Sequence, residues 1–157
     1  MEGVELINFT ELSLDTKKMI LGWRNHPNLK KWMYSQNYIS LDEHLSFIES
    51  LKVKNDSKYF LVKKKGEYIG VIDFTNINYK KKEAEIGLYS NPELKGNGKI
   101  ILECIIDYGI NYLMVERLFA NLFIENKIAY SLYKKLNFKE YKRDDKLIYM
   151  DFKNENR

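Results

Sequence analysis

Two short motifs hold the residue types that could do chemistry in this chain. The first is Lys95-Gly96-Asn97-Gly98-Lys99-Ile100, which follows Pro92 and opens an apolar stretch of helical period. A helix that starts after such a loop offers unbonded N–H groups and the positive end of its dipole to an anion. Glycines let backbone approach without a Cβ in the way, and Lys95 and Lys99 add charge. The pattern suits phosphate; an ordinary turn that uses its glycines for positive φ is the plain alternative. Two better-known phosphate motifs fail on detail. A P-loop needs Gly at position 93 and Ser or Thr after Gly98-Lys99, where Glu93 and Ile100 stand. A dinucleotide fingerprint needs a third glycine at position 101, which is Ile101.

The second motif is Asn126-Lys127-Ile128-Ala129-Tyr130-Ser131-Leu132-Tyr133, with Phe138 beyond it. Asn126 can cap a helix, and its amide can also hold a ligand. Ala129 is small enough to let something pack close. Tyr133 lies two turns from the cap, above Asn126 and Ala129. Taken alone, Tyr133 also fits as a packing aromatic.

These motifs need a scaffold, whose pattern runs through the rest of the sequence. Residues 4–9 alternate apolar and polar, as a short strand does. Residues 15–25 have helical spacing, with Met19, Ile20 and Trp23 on the core side, and Pro27 is expected to end that helix. Residues 28–34 read as one or two further helical turns. Ser40-Leu41-Asp42-Glu43 is a capping box before a helix running to about Lys52, with Leu41, Leu45, Ile48 and Leu51 on one stripe. Residues 58–64, 67–76 and 83–90 read as strands joined by short polar turns, an antiparallel meander. A helix over 100–114, a strand over 117–124 and a helix from Asn126 to about Leu136 follow. One or two strands over 140–151 turn at Asp144-Asp145. The expected class is α+β: one domain over 1–157, with a mixed, mostly antiparallel sheet of about seven strands and helices on both faces.

Composition narrows the function. The chain has 157 residues, 45% hydrophobic and 14% aromatic, enough for a packed core. Cys104 is the single cysteine, so no intrachain disulfide forms; with only His26 and His44 beside it, no Cys/His metal cage is expected. The net charge of +4 rests on short lysine clusters rather than an arginine-rich face, so no nucleic-acid partner is expected. A mildly basic surface does suit a polyanionic small molecule. No apolar run approaches the roughly 20 residues of a membrane span, and the start lacks a signal-peptide pattern. A reduced, cytoplasmic protein without a membrane partner is the expectation.

The two motifs together resemble the GNAT superfamily of acyl-CoA-dependent N-acyltransferases. That family's loop reads [Q/R]-x-x-G-x-[G/A]; here a basic Lys95 and the central Gly98 are kept, and Ile100 replaces the last small residue. The resemblance implies acetyl-CoA as co-substrate and no metal. It implies that strands 83–90 and 117–124 splay apart, with the pantetheine arm between them bonded to backbone at Leu88 and Tyr89. The pyrophosphate would sit on the turn formed by Lys95, Gly96, Asn97, Gly98, Lys99 and Ile100. Asn126 would contact the arm, Tyr133 would face the thioester sulfur, and the Tyr89 amide would polarise its carbonyl. The base that frees the amine would be Asp73 or Glu85. Asp73 is preferred, because in the run Val71-Ile72-Asp73-Phe74 burial would raise its pKa; a cross-strand hydrogen bond is the alternative role.

Trp23-Arg24-Asn25-His26-Pro27, Trp32-Met33-Tyr34-Ser35 and the stretch from Ile39 to Ile48 further resemble the N-acetyltransferases of bacterial pseudaminic acid synthesis. That resemblance implies a UDP-linked 4-amino-4,6-dideoxy sugar as acceptor. Arg24, His26, Met33, Tyr34, His44, Phe47 and Thr75 would read it, with cation, imidazole and flat apolar groups suited to a nucleotide sugar. A homodimer is compatible with this reading. A protein N-terminal acetyltransferase and a non-catalytic acyl-CoA-binding module are the alternatives.

Overall fold

The computed structural model describes residues 3–33 and 36–155. Its strands are β1 (Val4–Asn8), β2 (Lys58–Lys64), β3 (Glu67–Asn78), β4 (Glu83–Ser90), β5 (Arg117–Phe123), β6 (Lys139–Arg143) and β7 (Leu147–Lys153). The helices are α1 (Leu14–Asn25), α2 (Pro27–Lys30), α3 (Leu41–Ser50), α4 (Gly98–Asn111) and α5 (Lys127–Lys135). The strands form one sheet in the order β1-β2-β3-β4-β5-β7-β6. Every neighbouring pair is antiparallel except β4 and β5. This is the expected mixed, mostly antiparallel sheet.

Local chemistry sets the element ends. Ser40 and Glu43 form the capping box of α3, each satisfying the other's backbone N–H. Lys65 and Gly66 turn β2 into β3 with φ of 48° and 86°. Asp144 Oδ1 accepts from the N–H groups of Lys146 and Leu147, which fixes the β6–β7 turn where the sequence placed it. Two boundaries differ from expectation. Pro27 does more than end α1: it opens α2 at a position where its missing N–H costs nothing, and α2 stops at Lys30. The fourth helix starts at Gly98 rather than Ile100, so the glycine loop reaches into its first turn.

Helices cover both faces of the sheet. Ile20 and Trp23 of α1 and Ile48 of α3 pack with Phe9, Leu61 and Val71 on one face. Ile101, Leu102 and Ile105 of α4 and Tyr133 of α5 pack with Phe74, Leu118 and Met150 on the other. The close seat of α4 depends on Gly70, where a Cβ would stand 2.6 Å from Ile101 Cδ1 and 2.5 Å from the Tyr89 carbonyl.

The parallel pair matters most for the site. Registered partners between β4 and β5 are Glu83↔Arg117, Ala84↔Leu118 and Glu85↔Phe119, and beyond them the strands part. Arg117 rivets the closed end, donating to Glu83 Oε2 at 3.0 Å and to Asp151 Oδ2 at 2.9 Å. Both carboxylates are only part-exposed, so this fork is worth more than a surface pair.

Candidate active site

Where β4 and β5 diverge, the sheet opens into a slot of about 540 Å³. Asp73 and Thr75 of β3 and Glu85 to Ser90 of β4 line one side. Asn121, Leu122 and Phe123 of β5 line the other. Arg24 of α1 and Leu29, Trp32 and Met33 close one face, and Asn126, Ala129, Leu132 and Tyr133 close the opposite one.

Divergence frees the backbone of β4 on its β5 side, and the ladder tells which groups those are. The Lys82 carbonyl accepts from Glu116 and Arg117, so it points at β5; Asn91 N–H donates to the Ile69 carbonyl, so it points at β3. Backbone groups alternate in direction along a strand. Peptide groups of Ile86, Leu88 and Ser90 therefore face the slot, whereas those of Gly87 and Tyr89 are turned to their partners Asp73 and Val71 on β3. This corrects one expectation: Leu88 offers its backbone, but Tyr89 contributes its ring and not its amide.

Asp73 stands at the floor of the slot. Tyr59, Asp73 and Gly87 are directly opposite one another on three adjacent strands, so all three share a face. A Cβ on Gly87 would lie 2.6 Å from Asp73 Oδ2, so the missing side chain is what makes room for the carboxylate. Burial, helped by the nearby Glu85 charge and opposed by Arg24, pushes the Asp73 pKa up to about 7. Glu85 lines the slot as well, but its Oε1 is held by Asn76 Nδ2 at 3.1 Å. Asp73 is thus the carboxylate poised to exchange a proton near neutral pH. The same low-dielectric surroundings raise Tyr59 and Tyr89 well above the ordinary phenol range, so both stay neutral hydroxyls.

Among the described residues, two buried polar atoms of the slot-lining side chains have no hydrogen-bond partner, Arg24 Nε and Asn121 Oδ1. One is a donor and the other an acceptor, and they come from α1 and β5. Arg24 also lies 5.8 Å from the centre of the Tyr89 ring, a cation–π distance that holds the guanidinium over the slot.

On the other face, Asn126 Oδ1 caps α5 by accepting from Ala129 N–H at 3.2 Å, which leaves its NH2 end for a ligand. Tyr133 is buried, and its ring meets Phe138 edge-on at 5.0 Å. The first turn of α4 lies beside this wall: a Cβ on Gly98 would stand 3.2 Å from Leu132 Cδ2. Its N-cap, Asn97, makes no side-chain cap, and Gly96 has φ of 82°. Lys95 and Lys99 are exposed on either side. Ile100 packs against the apolar core, so its branched side chain points away from the turn's N–H groups.

Nine of the residues singled out from sequence meet at this slot: Asp73, Glu85, Tyr133, Leu88, Tyr89, Asn126, Arg24, Met33 and Thr75 all line it. The loop residues Lys95 to Ile100 stand beside it, at the start of α4. Three of the acceptor candidates do not line it. His44 is 6% exposed and its Nε2 bonds the Lys17 carbonyl at 2.8 Å, tying α3 to α1; burial lowers its pKa, so it is a neutral core histidine. His26 serves as a cap, its Nδ1 accepting from Asn28 N–H at 3.1 Å. Phe47 packs edge-on against Tyr59 at 5.0 Å and acts behind the slot. Tyr34 lies outside the described residues. Sequence reasoning missed Tyr59 and Asn121. Alternation from Asp73 across β2 would have found Tyr59, and the lone polar residue within Leu118-Phe119-Ala120-Asn121-Leu122-Phe123 would have found Asn121.

Among the described residues there is no group of three or more His, Cys, Asp or Glu able to hold a metal, and no helix is long and apolar enough to cross a membrane. Comparison with known proteins places this geometry. A domain model described as an acetyltransferase (GNAT) domain matches residues 5–139. The acetyltransferase PseH of Campylobacter jejuni subsp. jejuni strain 81-176 is 42% identical over 141 residues, covering 90% of this chain and 88% of that protein. The crystal structure of Campylobacter jejuni PseH in complex with acetyl coenzyme A superposes with a TM-score of 0.83 at 38% identity, covering 96% of this chain and 98% of the other. Spermidine N-acetyltransferase of Vibrio cholerae, solved with CoA and spermine, reaches a TM-score of 0.86 at 21% identity, over 98% and 96% of the two chains, a likeness of fold. With its family pattern running through most of its length and its sheet opened between β4 and β5, the chain belongs to the GNAT acetyltransferases.

Proposed function

We propose that the protein transfers the acetyl group of acetyl-CoA to the 4-amino group of UDP-4-amino-4,6-dideoxy-N-acetyl-β-L-altrosamine, a step of pseudaminic acid synthesis that feeds flagellin glycosylation. The observation that carries the chemistry is Asp73, a carboxyl with pKa of about 7 set beside the gap between β4 and β5. The acceptor rests on the likeness to PseH and on the slot's lining by the cation of Arg24, the hydroxyl of Thr75 and the apolar Met33. Both substrates are metabolites of the cytoplasm, which is where we place the reaction.

Acetyl-CoA supplies an acetyl group activated as a thioester. Its pyrophosphate meets the uncapped first turn of α4, from Gly96 to Ile100, with Lys95 and Lys99 adding charge. Its arm runs along the free backbone of Leu88 and the NH2 end of Asn126. Asp73 takes a proton from the acceptor ammonium, so that the nitrogen can attack. The Leu88 N–H, one of those turned to the slot, stabilises negative charge on the carbonyl oxygen. Tyr133 gives its hydroxyl proton to the departing sulfur and regains one from the acetylated nitrogen. Arg24 Nε donates to an oxygen of the sugar or its diphosphate, which satisfies a donor that has no partner among the described residues.

Gly98→Val tests the coenzyme half. The valine methyl groups crowd Leu132 and cover the first-turn N–H groups, so acetyl-CoA affinity measured by calorimetry falls about 10- to 100-fold, the loss of one or two hydrogen bonds to charge. Retained affinity removes the pyrophosphate assignment. A panel of amines tests the acceptor half. The UDP-4-amino sugar is expected to exceed N-terminal peptides and spermidine by at least about 100-fold in kcat/KM, the scale on which buried polar groups discriminate. A peptide preferred over the sugar would replace this acceptor with a protein N-terminus.

A further inference from the structure

Asn121 is a polar side chain of the slot that no cap, ion pair or proton transfer described above employs. It stands in the apolar run of β5, and its Oδ1 is buried without a hydrogen-bond partner. An unpaired buried acceptor is unfavourable, so its retention points to a donor that arrives from outside the chain. The registered pairs of β4 and β5 end at Glu85↔Phe119. Two residues further along both strands stand Gly87 and Asn121, level with each other on the two banks of the slot. The Asp73 carboxylate lies over Gly87, at the position a side chain would take. Asp73 and Asn121 thus stand on the same face of the sheet across the slot, with no side chain from Gly87 between them.

That pairing matches a specific need of amine acylation. When Asp73 removes a proton from an ammonium, the lone pair it exposes points back at Asp73. Attack on the thioester requires the nitrogen to turn about its bond to carbon, so that the lone pair leaves Asp73. In the turned orientation the neutral amine has two N–H bonds that need acceptors. We propose that Asn121 Oδ1 accepts one N–H of the acceptor amine while Asp73 holds the other, which directs the lone pair at the acetyl carbon. The C–N bond then forms as the C–S bond breaks; the first proton rests on Asp73 and the second reaches the sulfur through Tyr133. Asn121 is a substrate-orienting residue and takes no proton itself. The inference rests on the reading of this slot as an amine acetyltransferase site, and it adds that the acceptor is a primary amine.

Asn121→Leu and Asn121→Ala test it in the full-length protein with acetyl-CoA and the best amine of the panel. The expected result is a fall in kcat of about 10- to 100-fold, the effect of one hydrogen bond made in the reactive orientation. KM for acetyl-CoA stays within about 3-fold, because coenzyme binding does not use this contact. The Tm of Asn121→Leu rises, because an unpaired buried acceptor is replaced by an apolar group. Unchanged kcat overturns the inference. So does a loss carried by KM for acetyl-CoA, which would assign the amide to the pantetheine arm, or a fall in Tm of Asn121→Leu, which would assign it to the fold. If the wild-type protein acetylates no amine, the reading of the site fails and the inference with it. If wild type turns over and Asn121→Leu keeps its kcat, the inference fails alone.

Discussion

Asp73→Asn is expected to lower kcat/KM, measured by thiol release, by about 10³-fold at pH 8, within the range that a positioned general base contributes. The size follows from what the amide cannot do: it fills the same space over Gly87 but accepts no proton. The pH profile carries the more specific result. With a pKa of about 7, Asp73 is mostly protonated at pH 6 and mostly ionised at pH 8, so kcat/KM of the wild type rises between them. In Asp73→Asn that rise is gone, and the titration of the acceptor amine alone remains. A profile with its inflection near 7 intact would move the base to Glu85 or to water. Stability changes in the opposite direction to activity. The folded-state pKa lies above the ordinary carboxyl value of 3.8, so the native protein binds the proton more tightly than the unfolded chain. Native stability therefore declines as pH rises from about 4 to about 7 and is level above that. Asp73→Asn removes this decline. It is expected to be more stable than wild type at pH 8 by about 1–4 kcal/mol and near equal at pH 4, measured by urea unfolding at both.

Tyr133→Phe lowers kcat by about 10²-fold and leaves KM for acetyl-CoA within about 3-fold. The substitution removes one oxygen and keeps the ring that packs edge-on with Phe138 and lines the slot. The binding surface for the arm is thus preserved, while the leaving thiolate loses its proton source. A thiol with a reference pKa of about 8.5 accepts a proton from a phenol of about 10 only when the site favours it. An equal loss of kcat and of coenzyme affinity would make Tyr133 a packing residue, the alternative its position on the sequence left open.

The contrast between Asp73 and His44 shows what was legible in the sequence. Asp73 was marked by its neighbours: a carboxylate in the run Val71-Ile72-Asp73-Phe74 suggests burial, and burial is the largest cause of its raised pKa. His44 follows the same capping box that places α3, yet helical period alone does not tell whether an imidazole faces a ligand or the next helix. Its answer came from the Lys17 carbonyl, 27 residues away on α1. His26 stands outside the slot lining for a local reason: the proline after it begins a helix, and the imidazole Nδ1 is taken as that helix's cap. The strands and their meander were read from alternation and turns. The element order implies a mixed sheet, but the early end of the β4–β5 pairing is expected only through family likeness, because no residue pattern within either strand announces where two strands part. Asn121 and the backbone of Leu88 reach the slot only because of that parting. That is why Asn121 was missed, and why the Tyr89 amide was expected at the slot beside the Leu88 backbone.

Acetylation of a nucleotide-sugar amine in the slot between β4 and β5 is open to direct test: the protein is incubated with acetyl-CoA and the UDP-4-amino sugar, free thiol is counted, and the new acetyl group is located on the product by NMR. One thiol is expected for each sugar acetylated, with the acetyl group on the 4-nitrogen. Thiol release that leaves the sugar unchanged, or acetylation of N-terminal peptides alone, would overturn the proposed function.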